Sequence, residues 1–332
     1  MLKSVIKGVG HYVPERVVTN QDLEQVMNTS DAWIVERTGI KERHFFNPDT
    51  DTVANMAAKA ARTALSRAHL EAADVDFIVF ATITPDYYFP GSGVLLQREL
   101  GLTEIGALDI RNACSGFIYA LSVADQFIKT GMYKTILVVG AEIQSSVMDI
   151  SDEGRNIAVI FGDGAGAVVL QASDGEGRGI LSTHLHADGR YAEELYIKDP
   201  GSSRKVRLTE EYINKGGMGC HMNGNMVFKH AVTRFPEVIM EALNKNKLSK
   251  EDIDLMIPHQ ANYRITKHIQ EVMGLPDEKV VSNIHKYGNT TAASIPIALS
   301  ESWEEGRIKE GDLICMASFG SGFTWASALV RF

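Results

Sequence analysis

Short apolar runs alternate with amphipathic stretches along most of the chain. VDFIVFA (75–81), KTILVVGA (134–141) and GAVVLQA (166–172) are continuous apolar runs of strand length, and IGALDI (105–110) and KVVSNI (279–284) are shorter ones. Runs of this kind read as strands buried on both faces. GFIYALSVADQFIK (116–129) and TAASIPIALSESWEE (291–305) read as helices, and Gly131 closes the first of them as a C′ glycine does. The alternation predicts α/β layers.

The pattern also repeats. ALSRAHLEAADVDFIVF (64–80) aligns without gaps on ALNKNKLSKEDIDLMIP (242–258) at an offset of 178. FGDGAGAVVL (161–170) is echoed by FGSGFTWASALV (319–330), and Gly131 and Lys134 match Gly306 and Lys309 at an offset of 175. Any two helix–strand units share some composition, but several echoes in one order favour duplication. The expected halves are residues 1–173 and 174–332. At the offset of 175 Cys114 falls on Asn289, and at 178 His259 falls on Ala81, just past a strand. If a pseudo-twofold axis relates the halves, Cys114 and Asn289 occupy equivalent strand-to-helix turns. Three reactive side chains then meet near one axis.

Composition narrows the class. The chain has 332 residues, 45% hydrophobic and 23% charged, so it can bury large cores without disulfides. A net charge of −9 argues against general nucleic-acid binding, and an acidic partner needs a local basic patch. No stretch reads as a signal peptide or a membrane span. Cys114, Cys220 and Cys315 are far apart and lack metal-ligand spacing, and the histidines form no HExxH group. A reduced, cytoplasmic setting and no metal are expected.

Cys114, in RNACSGFIYAL, marks a strand-to-helix transition, where the helix dipole and free N–H groups favour a thiolate. Taken alone it is equally a small buried hydrophobe. Cys315, in DLICMASFG, fits a strand core, and Cys220 falls in a Gly-rich loop. His259 follows Pro258 at a strand end, and Asn289 follows Gly288 in what alone reads as a turn. Together a Cys–His–Asn set suits decarboxylative condensation. The cysteine carries an acyl group, while His and Asn donate to the oxygen of an enolate formed as carbon dioxide leaves. A cysteine hydrolase uses the same residue types, with His as base and Asn as orienter. The residues alone leave both open.

The chain resembles the β-ketoacyl-acyl carrier protein synthase III family of thiolase-fold condensing enzymes. The likeness runs from Val5 to Phe332 and rests on TSDAWIVERTGIKERHF (29–45), NACSGFIYALSVADQFIK (112–129), IFGDGAGAVVL (160–170), LSTHLHADG (181–189), IPHQANYRI (257–265), GNTTAASIP (288–296) and FGSGFTWASALVRF (319–332). It implies a five-layered α-β-α-β-α homodimer with two similar halves. Cys114 would be the nucleophile, with His259 and Asn289 paired on the malonyl thioester. The oxyanion hole would be the backbone N–H groups of Cys114 and of Ser321, where the family often has Gly. Trp33, Arg37 and Arg155 match residues at the coenzyme A adenine, and Asn225 and Phe228 match the pantetheine channel. Phe89, in PDYYFPGSG, matches a residue that reaches the partner subunit's acyl pocket. Lys229, Arg264 and Lys267 would form the basic patch for carrier protein, weakened by Glu271.

The substrates implied are an acyl-coenzyme A primer and malonyl-acyl carrier protein, with no other cofactor. The long segment from His186 to Asn223 departs from short-primer members and is expected over the channel mouth. The primer is not legible. Competing readings are a same-fold acyltransferase of secondary metabolism, a cysteine thioesterase and a non-catalytic carrier-protein binder.

Overall fold

The structure, a computed structural model, describes residues 2–175, 177–203, 210 and 219–332. Its strands are, in chain order, β1 (Lys3–Tyr12), β2 (Arg16–Thr19), β3 (Glu42–Phe45), β4 (Phe77–Ala81), β5 (Gly106–Ile110), β6 (Thr135–Glu142), β7 (Gly164–Ser173), β8 (Gly179–Ala187), β9 (Leu195–Tyr196), β10 (His221–Met222), β11 (Leu255–Pro258), β12 (Leu313–Gly320) and β13 (Thr324–Arg331). Two sheets dominate. One runs β1-β7-β6-β4-β5 and the other β11-β12-β13-β8.

The sheets share one plan. In the first, β1 and β6 flank β7 antiparallel, and β4 joins β6 and β5 in parallel. In the second, β8 and β12 flank β13 antiparallel, and β11 joins β12 in parallel. The counterpart of β5 is reduced to a parallel bridge between Met256 and Val280, so the predicted KVVSNI strand is not a ladder. Proline chemistry explains this. Val281 donates from N to Met256 O at 2.9 Å, but the next ladder bond would need an N–H on Pro258, which has none. The Gln260 side chain takes the groups left over, donating from Nε2 to Val281 O at 3.2 Å and accepting at Oε1 from Asn283 N at 3.1 Å.

Unusual backbone conformations repeat as well. His69 and Lys247 both have φ 56°, and Ala113 and Thr291 have φ 45° and 50°. Each pair is separated by 178 residues. Left-handed conformations are costly for residues with a Cβ, so their recurrence in register is strong evidence of duplication.

Apolar faces set the layers. The Gly116–Lys129 and Ser294–Glu304 helices are buried between the sheets, in one cluster with Val79, Val138, Val168, Ile257, Met316 and Ala328. The Val53–Ala68 helix covers the outer face of the first sheet with a face of alanines, started by a Thr52–Asn55 capping box. The Gly224–Lys245 and Tyr263–Met273 helices cover the outer face of the second. The order is therefore α-β-α-β-α. Among the described residues no helix is long and apolar enough to cross a membrane.

Candidate active site

Two turns face each other between the sheets. In the first half β5 passes into a 3-10 turn, Ala113–Ser115, which leads into the Gly116–Lys129 helix. In the second, Thr291–Ala293 leads into the Ser294–Glu304 helix in the same way. The register differs from the sequence expectation. The turns superimpose at an offset of 178, so Cys114 pairs with Ala292, and Asn289 lies three residues earlier, opposite Arg111. Asn289 is held across the halves instead. It pairs with Phe161 in a parallel bridge, donating from N to Ile160 O at 2.9 Å and accepting at O from Gly162 N at 3.1 Å.

Cys114, His259 and Asn289 all border a cavity of about 250 Å³. Cys114 rests against the end of β12. A Cβ built on Gly320 would lie 2.5 Å from Cys114 Cβ and 3.0 Å from its Sγ, so glycine is required for this approach. The next residue, Ser321, turns its backbone N–H toward the sulfur, and Cys114's own N–H does the same. Ser321's hydroxyl is used elsewhere, donating to Leu195 O at 2.5 Å.

The charge state of Cys114 corrects the expectation of a resting thiolate. Burial pushes the thiol up to about 12, and Glu142 and the Cys220 thiol add to this, while the two N–H groups pull the other way. Glu142 is itself fully buried at the end of β6. Burial raises it to about 7 against donors from Thr84, Ile83 and Thr82. Sequence reasoning missed it, because a Glu closing an apolar strand carries no distinguishing pattern.

His259 donates from its backbone N to Ala317 O at 2.8 Å, fixing it at the end of β11. Its Nδ1 lies 2.6 Å from Ser294 Oγ, and its buried Nε2 has no hydrogen-bond partner among the described residues. Burial lowers the imidazole to about 3, so it is neutral. Asn289 Oδ1 accepts from Thr291 N at 2.9 Å, which leaves its side-chain N–H groups for the cavity. The cavity therefore offers a sulfur nucleophile, an unpaired imidazole nitrogen and an amide donor.

Trp33, Arg37 and Phe228 border the same cavity. Trp33 lies in the Asp31–Thr38 helix, capped by Ser30, and the guanidinium groups of Arg37 and Arg155 lie 4.5 and 5.0 Å from its ring centroid. Arg155 is not a wall residue; its neighbour Asn156 is, and Arg155 donates to Asn28 O at 2.5 Å. Asn225 is exposed and off the wall, where Gly224, Val227 and Phe228 stand instead. Lys229 and Arg264 are exposed, with Arg264 5.6 Å from the Phe228 ring, but Lys267 is held by Asp277 at 2.9 Å. Phe89 is not a core aromatic: it is 81% exposed. Cys315 is buried in β12. Leu195 and Met222, paired between β9 and β10, bring the flanks of the 186–223 segment to the cavity. Residues 204–209 and 211–218 of that segment lie outside the described residues. Among the described residues no His/Cys/Asp/Glu group could hold a metal.

Comparison of the whole chain with known proteins points to one family. The family model described as 3-Oxoacyl-[acyl-carrier-protein (ACP)] synthase III matches residues 108–189, and that of its C terminal matches residues 243–332. The chain is 48% identical to the Beta-ketoacyl-[acyl-carrier-protein] synthase III of Rhodospirillum centenum over 99% of both chains, and 44% identical to that of Brucella suis over 100% of both. The crystal structure of 3-oxoacyl-[acyl-carrier-protein] synthase III from Aquifex aeolicus VF5 superimposes with a TM-score of 0.90 at 45% identity, covering 99% of this chain and 100% of that one. The priming β-ketosynthase from the R1128 polyketide biosynthetic pathway also gives 0.90, at 32% identity, covering 99% and 96%. With its duplicated thiolase fold, the chain belongs to the β-ketoacyl-[acyl-carrier-protein] synthase III family.

Proposed function

We propose that the protein transfers an acyl group from coenzyme A to Cys114 and condenses it with malonyl-acyl carrier protein, initiating fatty acid synthesis. The products are a 3-oxoacyl carrier protein, coenzyme A and carbon dioxide. One observation carries the assignment of roles: Cys114 from one half and His259 and Asn289 from the other border a single cavity. In the first step the Cys114 sulfur attacks the thioester carbonyl. The N–H groups of Cys114 and Ser321 hold the oxyanion, and the thiol proton leaves with the coenzyme A sulfur. In the second, His259 and Asn289 donate to the malonyl thioester oxygen. The carboxylate leaves as carbon dioxide and the electrons of its bond collect there as an enolate, whose carbon attacks the acyl group; the Cys114 sulfur is expelled and takes up a proton from solvent.

The surroundings fit these substrates. Trp33 with Arg37 and Arg155 offers an aromatic face and cations for an adenine nucleotide at the cavity mouth. Asn225 and Phe228 stand at the start of the Gly224–Lys245 helix, where a pantetheine arm would pass. Lys229 and Arg264 give an acidic protein a local patch of opposite charge. The exposed run Tyr87, Tyr88 and Phe89 suits burial in a homodimer, with Phe89 reaching the partner's acyl pocket. We take residues 1–173 and 174–332 as the two halves, and the cytoplasm as the site of action, with no metal or further cofactor.

The likeness to a polyketide-priming enzyme keeps a specialised pathway as the second reading. Intact-protein mass spectrometry after exposure to a panel of acyl-coenzyme A thioesters tests both. Acetyl or short branched adducts on the Cys114 peptide support bulk initiation. Exclusive uptake of another primer supports the specialised reading. No adduct, or free acid without carbon dioxide when malonyl-carrier protein is also supplied, removes the condensing assignment.

A further inference from the structure

The duplicated halves differ at one pair of positions that bears on the decarboxylation step. In the first half Ala81, at the end of β4, packs against Gly116, the first residue of the buried helix: a Cβ built on Gly116 would lie 3.1 Å from Ala81 Cβ. Adding 178 residues turns this pair into His259 and Ser294. The same close approach of strand end and helix start is now a hydrogen bond, 2.6 Å between His259 Nδ1 and Ser294 Oγ, with Ser294 2% exposed.

The direction of that bond follows from its neighbours. Among the described residues Ser294 Oγ has two hydrogen-bond contacts. One is the Gln260 backbone N–H at 3.4 Å, which can only donate, so the oxygen accepts there. The hydroxyl proton then has one acceptor among the described residues, His259 Nδ1. An imidazole that accepts at Nδ1 and is neutral carries its proton on Nε2. That nitrogen is the buried, unpartnered atom at the cavity.

We propose that Ser294 is a positioning residue that holds His259 as the Nε2–H tautomer, so that this nitrogen is a donor to the malonyl thioester oxygen and not a base. The proposal rests on the condensing function given above for the role of that donor, but not for the tautomer itself. Without the Ser294 hydroxyl the ring loses its anchor, and the Nδ1–H form, with an acceptor lone pair facing the enolate oxygen, becomes populated. The Cys114 acylation step does not use this donor and is spared.

Two measurements on the full-length protein test it. The first is the nitrogen spectrum of the resting enzyme labelled with ¹⁵N-histidine, with His259 assigned by difference against His259→Asn. Nδ1 should read as the unprotonated nitrogen and Nε2 as the protonated one, and Ser294→Ala should shift both toward a tautomer mixture. A protonated Nδ1 in the unmodified protein, or no shift in Ser294→Ala, overturns the proposal. The second is kinetic. In Ser294→Ala, carbon dioxide release from malonyl-carrier protein should fall about 10- to 100-fold in kcat with little change in KM, below the loss from deleting a direct donor. Single-turnover acylation should stay within about 3-fold, since its oxyanion donors are backbone groups. Equal loss of both steps marks a merely structural serine and overturns the proposal. If the unmodified enzyme acylates yet releases no carbon dioxide, the condensing function fails, and the spectrum alone decides the tautomer.

Discussion

A thiol enclosed by protein is a different reagent from one at an open helix end. The sequence places Cys114 at a helix start, and the dipole argument then favours a thiolate. The structure keeps the helix start but adds burial and Glu142, which outweigh the N–H groups and push the thiol to about 12. Burial depends on which distant segments close over a residue, so it was not legible locally. Single-turnover acylation should therefore keep rising with pH beyond 9, the ordinary thiol value, with no plateau. Levelling off below about pH 8 would show that the N–H donors dominate. His259 is shifted the opposite way, from 6.5 to about 3. Its neutral form thus persists in the folded protein while an unfolded chain would take up a second ring proton. Burying it neutral costs stability as pH falls from 6.5 toward 3, not above. Carbon dioxide release should accordingly show no decline centred at 6.5 as pH falls; such a decline would mean His259 titrates near its ordinary value. Cys114, His259 and Asn289 were legible because each stands in a recognisable motif. Ser294 and Glu142 were not, since a Ser in a helix start and a Glu ending a strand look ordinary until their partners are known.

At the scale of elements, most strands were legible from apolar runs, because a strand covered on both faces needs no other signal. KVVSNI was read as a strand on the same evidence, and it failed because Pro258 has no N–H to continue the ladder, so the Gln260 side chain meets the groups left over. Gly-rich turns were read as turns, but their closeness to other elements was not. Gly320, at the end of β12, shows what that closeness does. Gly320→Ala would drive a methyl into Cys114, which should cost roughly 1–3 kcal/mol of stability and displace the sulfur. Thermal unfolding and acylation rate measure the two effects, and an unperturbed acylation rate would mean Cys114 has room the structure does not show. Helix faces carry the docking argument. Lys229 and Arg264 are exposed on neighbouring helices, whereas Lys267 is engaged by Asp277. Arg264→Glu should raise the Michaelis constant for malonyl-carrier protein several times more than that for acyl-coenzyme A, and the difference should shrink with added salt. Equal changes for both substrates would remove the separate docking patch.

For the whole molecule, duplication explains why chemistry falls between the sheets. Two copies of one βα plan face each other, and their strand-to-helix turns meet at the pseudo-twofold axis. The repeat was visible in the sequence, down to paired motifs at an offset of 178, yet the pairing of Cys114 with Asn289 was three residues out. The error arose because the echo at Gly131 and Gly306 carries a different spacing from the turns themselves. The halves have since diverged where they touch. One keeps Cys114 at its turn, and the other keeps His259 and Asn289 and has Ala292 where the sulfur would be. The central claim is that these sets serve separate steps. Removing a donor to a developing oxyanion typically costs about 100- to 1,000-fold. The most direct test measures single-turnover acylation and labelled carbon dioxide release side by side in Asn289→Ala and Cys114→Ala. The account predicts that Asn289→Ala still forms the acyl-enzyme but loses condensation, while Cys114→Ala cannot be acylated yet slowly releases carbon dioxide from malonyl-carrier protein. Slowed acylation in Asn289→Ala, with no carbon dioxide from any variant, would contradict it and leave a thioesterase in its place.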